Sequence, residues 1–145
     1  MFSLRKTVKT LSSAALATAV LIVPAQAAQA FNCSDAHVVS VVNATNDYRT
    51  ANGLKKVNCD NHLTAESQEW AETMRDTKNF DHDPNTRTAE NIAYYGYQPK
   101  PGNVVQDWID SPGHRANVLD KDAEIIGVGW AQDEKKRTYA VQRFW

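Results

Sequence analysis

Trp108-Ile109-Asp110-Ser111-Pro112-Gly113-His114-Arg115-Ala116-Asn117-Val118-Leu119 is the stretch on which the reading of this chain turns. It opens in helical periodicity and is then interrupted. Pro112 lacks an N–H and drives Ser111 out of the α region, while Gly113 permits a positive φ. The pattern predicts a helix that stops at Asp110 and a sharp turn that presents His114 from a fixed backbone. A lone histidine in a turn is usually surface decoration. Its surroundings argue otherwise: Phe80-Asp81-His82 and Ala89-Glu90-Asn91-Ile92-Ala93 lie upstream, and Ile126-Gly127-Val128-Gly129-Trp130-Ala131 lies downstream.

Those four pieces, in that order, resemble a bacterial-type member of the CAP superfamily, or SCP domain. This group includes cysteine-rich secretory proteins, insect venom allergens (antigen 5) and plant pathogenesis-related class 1 proteins. The resemblance runs from Asn46-Asp47-Tyr48-Arg49, similar to the family's first-helix Asn-x-Tyr-Arg, to Tyr139-Ala140-Val141-Gln142-Arg143-Phe144 in its last strand. It implies a three-layer α-β-α sandwich of the α+β class in one domain.

Residues 1–30 read as a signal peptide outside the fold. Arg5, Lys6 and Lys9 form a basic start, Leu11 to Val23 an apolar core, and Ala25 to Ala30 offers small-x-small cleavage sites. The apolar core falls short of the roughly 20 residues that span a bilayer. The expected mature domain is 31–145, secreted and extracellular, with no stable membrane insertion. It carries 13 basic and 17 acidic residues, a net charge of −4, which disfavours nucleic acid and anionic membrane. Cys33 and Cys59 are the only cysteines, and an even count in an oxidising compartment favours a disulfide.

In the mature chain, Ser34 or Asp35 is placed to cap a helix from Ala36 to the Asn52-Gly53 stop, with Val38, Val41, Val42, Thr45 and Tyr48 or Arg49 along one stripe. His37 is expected in solvent. Asp60 or Asn61 caps a second helix that buries Leu63, Trp70, Ala71 and Met74, leaving His62 and the Glu66, Glu69, Glu72 run in water. Phe80 looks buried, and Glu90 to Tyr94 reads as a short helix or turn. Asn103 caps a third helix, Val104 to Asp110. Ile125–Ala131 and Thr138–Phe144 read as an antiparallel hairpin, with Gly127 and Gly129 on one face giving a helix room to approach.

The expected cleft contains His82, Glu90 and His114, flanked by Asp110, Tyr94 and Tyr95, with Tyr97 nearby. By resemblance, His82, Glu90 and His114 match three members of the family's two-histidine, two-glutamate set. The second glutamate has no counterpart after Trp108, where Asp110 is no more than a candidate substitute, and Ala89 stands where the family has glycine. His82 and His114 could ligate zinc or another divalent metal, or act as an acid–base pair. In the bland reading Glu90 caps a turn and fixes a histidine. No Ser or Cys nucleophile with a neighbouring base is apparent. The favoured expectation is a binding module, not an enzyme, for a small amphipathic or lipid-like ligand or a protein partner. A metal-assisted, protease-like hydrolase using the same cleft is the alternative, and a rigid interaction domain without small-molecule chemistry the third.

Overall fold

The computed structural model describes residues 30–145; the expected signal peptide lies outside the described residues, apart from Ala30. In chain order the elements are α1 (Ala36–Ala51), β1 (Asn58–Cys59), α2 (Asn61–Thr77), β2 (Ala89–Tyr95), α3 (Pro101–Asp110), α4 (Pro112–Val118), β3 (Ile125–Gln132) and β4 (Thr138–Phe144). The strands form one sheet in the order β1-β3-β4-β2. β1 runs parallel to β3, and the other pairs are antiparallel.

Strand side chains alternate between faces, so the registers assign each layer. Ile126, Val128, Trp130, Ala140 and Phe144 face α1 and α3, packing with Val38, Val41, Val104, Val105 and Trp108. Ala131, Tyr139, Val141 and Ile92 face α2, against Ala71 and Met74. This is the expected α-β-α sandwich. The α2 face is tight because β3 carries glycine where the helix crosses it. A Cβ at Gly127 would collide with the Leu63 backbone, and one at Gly129 with the Ser67 backbone.

The caps resolve the sequence alternatives. Asp35 accepts from the His37 amide at 2.8 Å, and Asp60 from the Leu63 amide at 2.7 Å. Gly53 takes a positive φ of 77° just past α1. Cys33 and Cys59 are bridged, with Cα atoms 5.9 Å apart.

Several expectations are corrected. Glu90 to Tyr94 is neither helix nor turn but the body of β2, because each of its residues finds a cross-strand partner on β4. α3 begins at Pro101 instead of after Asn103, since proline at the first helical position sacrifices no hydrogen bond. Ser111 is extended, as the following proline requires, but Pro112 then opens α4 at its first position. His114 therefore sits on a helix, and Gly113 needs no positive φ. Phe80 is 48% exposed. His37 is half-buried and stacks on Trp130, with ring centroids 4.9 Å apart. Trp70 is half-buried at the margin of the α2 layer.

Candidate functional site

The site is built around the buried edge of β2. Glu90 faces the α2 side of the sheet, directly across from Arg143 on β4. Both side chains are 3% exposed. Arg143 donates to Glu90 Oε2 from Nε at 3.0 Å and from Nη2 at 2.8 Å, and Nη2 also reaches Asp83 at 2.8 Å. Glu90 Oε1 accepts from His82 Nδ1 at 2.7 Å and from the Asp83 amide at 3.1 Å. With Nδ1 donating to a carboxylate, neutral His82 keeps its proton there and leaves Nε2 as an acceptor. The His82 ring remains 58% exposed. A buried carboxylate thus fixes the tautomer and direction of a solvent-facing imidazole.

His114 is brought in by α4, which a chain of amides ties to the sheet. Asn91, next to Glu90 but facing the opposite layer, donates to His114 O at 3.1 Å and to Gln142 Oε1 at 3.0 Å. Gln142 passes the connection to Thr45 on α1 at 2.7 Å. Asn117 on α4 donates to Asn91 Oδ1 at 2.8 Å and to the Glu90 carbonyl at 3.3 Å, covering the open edge of β2. Just past Asn117, Arg49 Nη1 donates to the carbonyls of Val118 at 2.8 Å and Asp120 at 2.7 Å. Burial pushes His114 below the usual histidine range, and the nearby His82 pushes it the same way. His114 therefore favours the neutral form.

The remaining expected residues separate. Asp110 is exposed at the end of α3 and accepts from Gln106 at 2.8 Å, so its carboxylate is engaged on its own helix. Tyr94 and Tyr95, being consecutive in a strand, point to opposite faces and cannot line one cleft. Tyr94 shares the Glu90 face and packs between Phe80 and Tyr139. Tyr95 donates to Asp107 and meets Tyr97 edge-on. Burial and Asp107 raise the Tyr95 phenol far above the usual range.

Arg143, Asp83, Asn91, Asn117 and Gln142 were not singled out from the sequence. The available signal was two adjacent polar residues, Gln142-Arg143, following the apolar run Tyr139-Ala140-Val141. A strand buried on both faces holds such residues only where each has a partner.

A sandwich with a histidine–glutamate cluster at one sheet edge defines the class. The family model described as CAP, the cysteine-rich secretory protein family, matches residues 42–144. This chain belongs to that family. It is 34% identical to the Bacillus subtilis protein YkwD over 113 residues, covering 67% of this chain but 43% of that protein. It is 23% identical to the human Golgi-associated plant pathogenesis-related protein 1, covering 72% of this chain and 79% of that one. Among solved structures, an outer surface protein from Borrelia burgdorferi aligns with a TM-score of 0.66 at 17% identity, covering 74% of this chain and 90% of the other. An extracellular SCP-domain protein from Bacillus anthracis aligns at 0.62 with 24% identity, covering 74% and 39%.

Proposed function

We propose that this chain is a secreted ligand-binding or interaction domain that presents His82 and His114 from a rigid edge and works without a resident metal. The observation that carries this reading is the occupancy of Glu90. Both its oxygens are taken by His82, the Asp83 amide and Arg143, so it braces a histidine instead of offering a free lone pair. Zinc sites use three protein ligands when catalytic and four when structural. Here Asp110 is engaged elsewhere, and among the described residues no three His, Cys, Asp or Glu side chains converge on one point. The donor set left is two imidazoles, which does not fit a resident zinc. Metal-assisted hydrolysis is the less supported reading for the same reason, since it also requires a placed base.

An amphipathic ligand suits the surroundings. Phe80 and Tyr94 form an exposed aromatic shelf on the same face as Glu90, while the imidazoles supply polar contacts. Export is supported by the basic-apolar-small order of residues 1–30, by the disulfide and by the name of the family. Among the described residues no helix is long and apolar enough to cross a membrane.

Zinc calorimetry at neutral and mildly acid pH, on the native protein and a His82→Ala/His114→Ala variant, tests this. The expected result is no saturable zinc site at tens of micromolar and a melting temperature unmoved by chelator. Submicromolar zinc binding that disappears in the double variant would replace this reading with a metal site. Zinc-dependent peptide hydrolysis lost in the same variant would make the protein a hydrolase.

A further inference from the structure

Arg143 also lines a groove of about 650 Å³. Its first wall is the flank of α2, where His62, Glu66, Glu69, Trp70 and Thr73 recur at helical spacing. At 1.5 Å per residue that wall is about 16 Å long. The segment carrying Asn85 and Arg87 forms the second wall, and Trp145 stands beside Ile125 at the margin. The histidine pair does not line it.

Three observations set the chemistry of an occupant. The first is a spare donor in the floor. The Arg143 side chain is 3% exposed, and its Nε and Nη2 are engaged by Glu90 and Asp83. No hydrogen bond among the described residues engages Nη1, yet Nη1 is not sealed from solvent, since Trp130 Nε1 is the one partnerless buried side-chain atom there. Arg143 is one of the residues that line the groove. Two carboxylates already balance the guanidinium charge, so Nη1 suits a neutral acceptor oxygen better than an anion.

The second is charge. The lining carboxylates Asp60, Glu66, Glu69 and Asp83 outnumber Arg87 and Arg143, leaving a net −2 with histidine counted as neutral. Phosphate, sulfate and carboxylate ligands are disfavoured by that field. Glu69 has no hydrogen bond or ion pair from another side chain among the described residues, so its oxygens are available to hydroxyl donors. The third is two indoles: Trp70 is half-buried, and Trp145 is 62% exposed. A tryptophan left in water beside a cleft offers a flat apolar face with a polar rim.

We propose that this groove binds an uncharged oligosaccharide. A sugar ring combines C–H faces for the indoles, hydroxyl donors for Glu69, and acceptor oxygens for Arg143 and Arg87. A basic peptide would satisfy the carboxylates but would meet Arg87 on the facing wall and an arginine donor in the floor.

Binding is tested by calorimetry on the whole exported protein with neutral hexasaccharides of glucose, mannose and N-acetylglucosamine. A heparin hexasaccharide and a lysine-rich hexapeptide are the comparisons. One neutral hexasaccharide should bind, with affinity reduced about tenfold by Trp145→Ala, the scale of one lost aromatic contact. Glu69→Gln should weaken it several-fold, and Val39→Ala, exposed and outside the groove, should leave it unchanged. Both Trp145 and Glu69 are exposed, so neither substitution threatens the fold. The proposal is overturned if no neutral hexasaccharide binds at millimolar concentration, or if binding ignores both groove substitutions. It is equally overturned if heparin or the basic peptide proves to be the ligand that those substitutions weaken.

Discussion

At the scale of single residues, the Glu90–Arg143 pair decides more than the histidine it supports. Each is buried, so removing one strands the other charge in a poorly hydrated strand pair. Arg143→Met should cost about 3–5 kcal/mol, the scale for breaking a buried pair from one side. His82→Ala removes a largely exposed ring and should cost under about 1 kcal/mol. Urea unfolding of both variants makes the comparison, and near-equal losses would mean that water reaches Glu90. His114 gives a pH signature. Its folded-state pKa lies below its unfolded value, so the unfolded chain binds more protons in the interval between them. Stability should be full above the ordinary histidine value of about 6.5 and fall as pH drops through it towards the folded value. Melting temperatures across that range should fall less steeply for His114→Gln than for the native protein. Identical slopes would place the sensitivity elsewhere.

At the scale of elements, α2 lies close over β3 at Gly127 and Gly129. Gly129→Ala forces a methyl into the Ser67 backbone, which no rotamer change relieves. Overpacking of this kind costs about 1–3 kcal/mol or more. Trp108→Ala works in the opposite sense, emptying a fully buried position and stranding the Ile92 carbonyl it bonds at 3.1 Å. The expected loss is about 3–5 kcal/mol. Thermal melts rank the two, and a Gly129→Ala protein as stable as the native one would refute the contact. The glycine pair was legible beforehand because small residues at alternate strand positions have few other uses. α1 and α2 were legible because their stripes and caps agree. β2 was not, since its alternation is hidden: Glu90 and Asn91 face opposite layers, yet both are buried. Only their partners on β4 and α4 make that tolerable, and those partners lie 23 to 53 residues away. The histidine–glutamate contact could be anticipated from the family pattern. The displacement of Asp110 and the split of Tyr94 from Tyr95 follow from helix ends and strand direction, which local sequence does not fix.

At the scale of the whole molecule, the Cys33–Cys59 bridge closes a loop of 26 residues and ties the start of α1 to β1. In the chain-entropy model that is worth about 3.5 kcal/mol, mostly by restricting the unfolded chain. Replacing both cysteines with serine should lower the stability in urea by about that amount while the family fold persists, as circular dichroism would show; no change would mean that the bridge merely decorates the fold. The sheet order carries a consequence in time. β4 comes last among the described elements, and it lies between β3 and β2. Until residues 138–144 have emerged, β2 has no strand neighbour, Glu90 has no guanidinium, and Asn91 has no Gln142. The helices can form earlier, but they have no completed surface on which to settle. A chain emerging from its amino-terminal end would therefore stay open until residues 138–144 were free, and then close in one cooperative, contact-distant step.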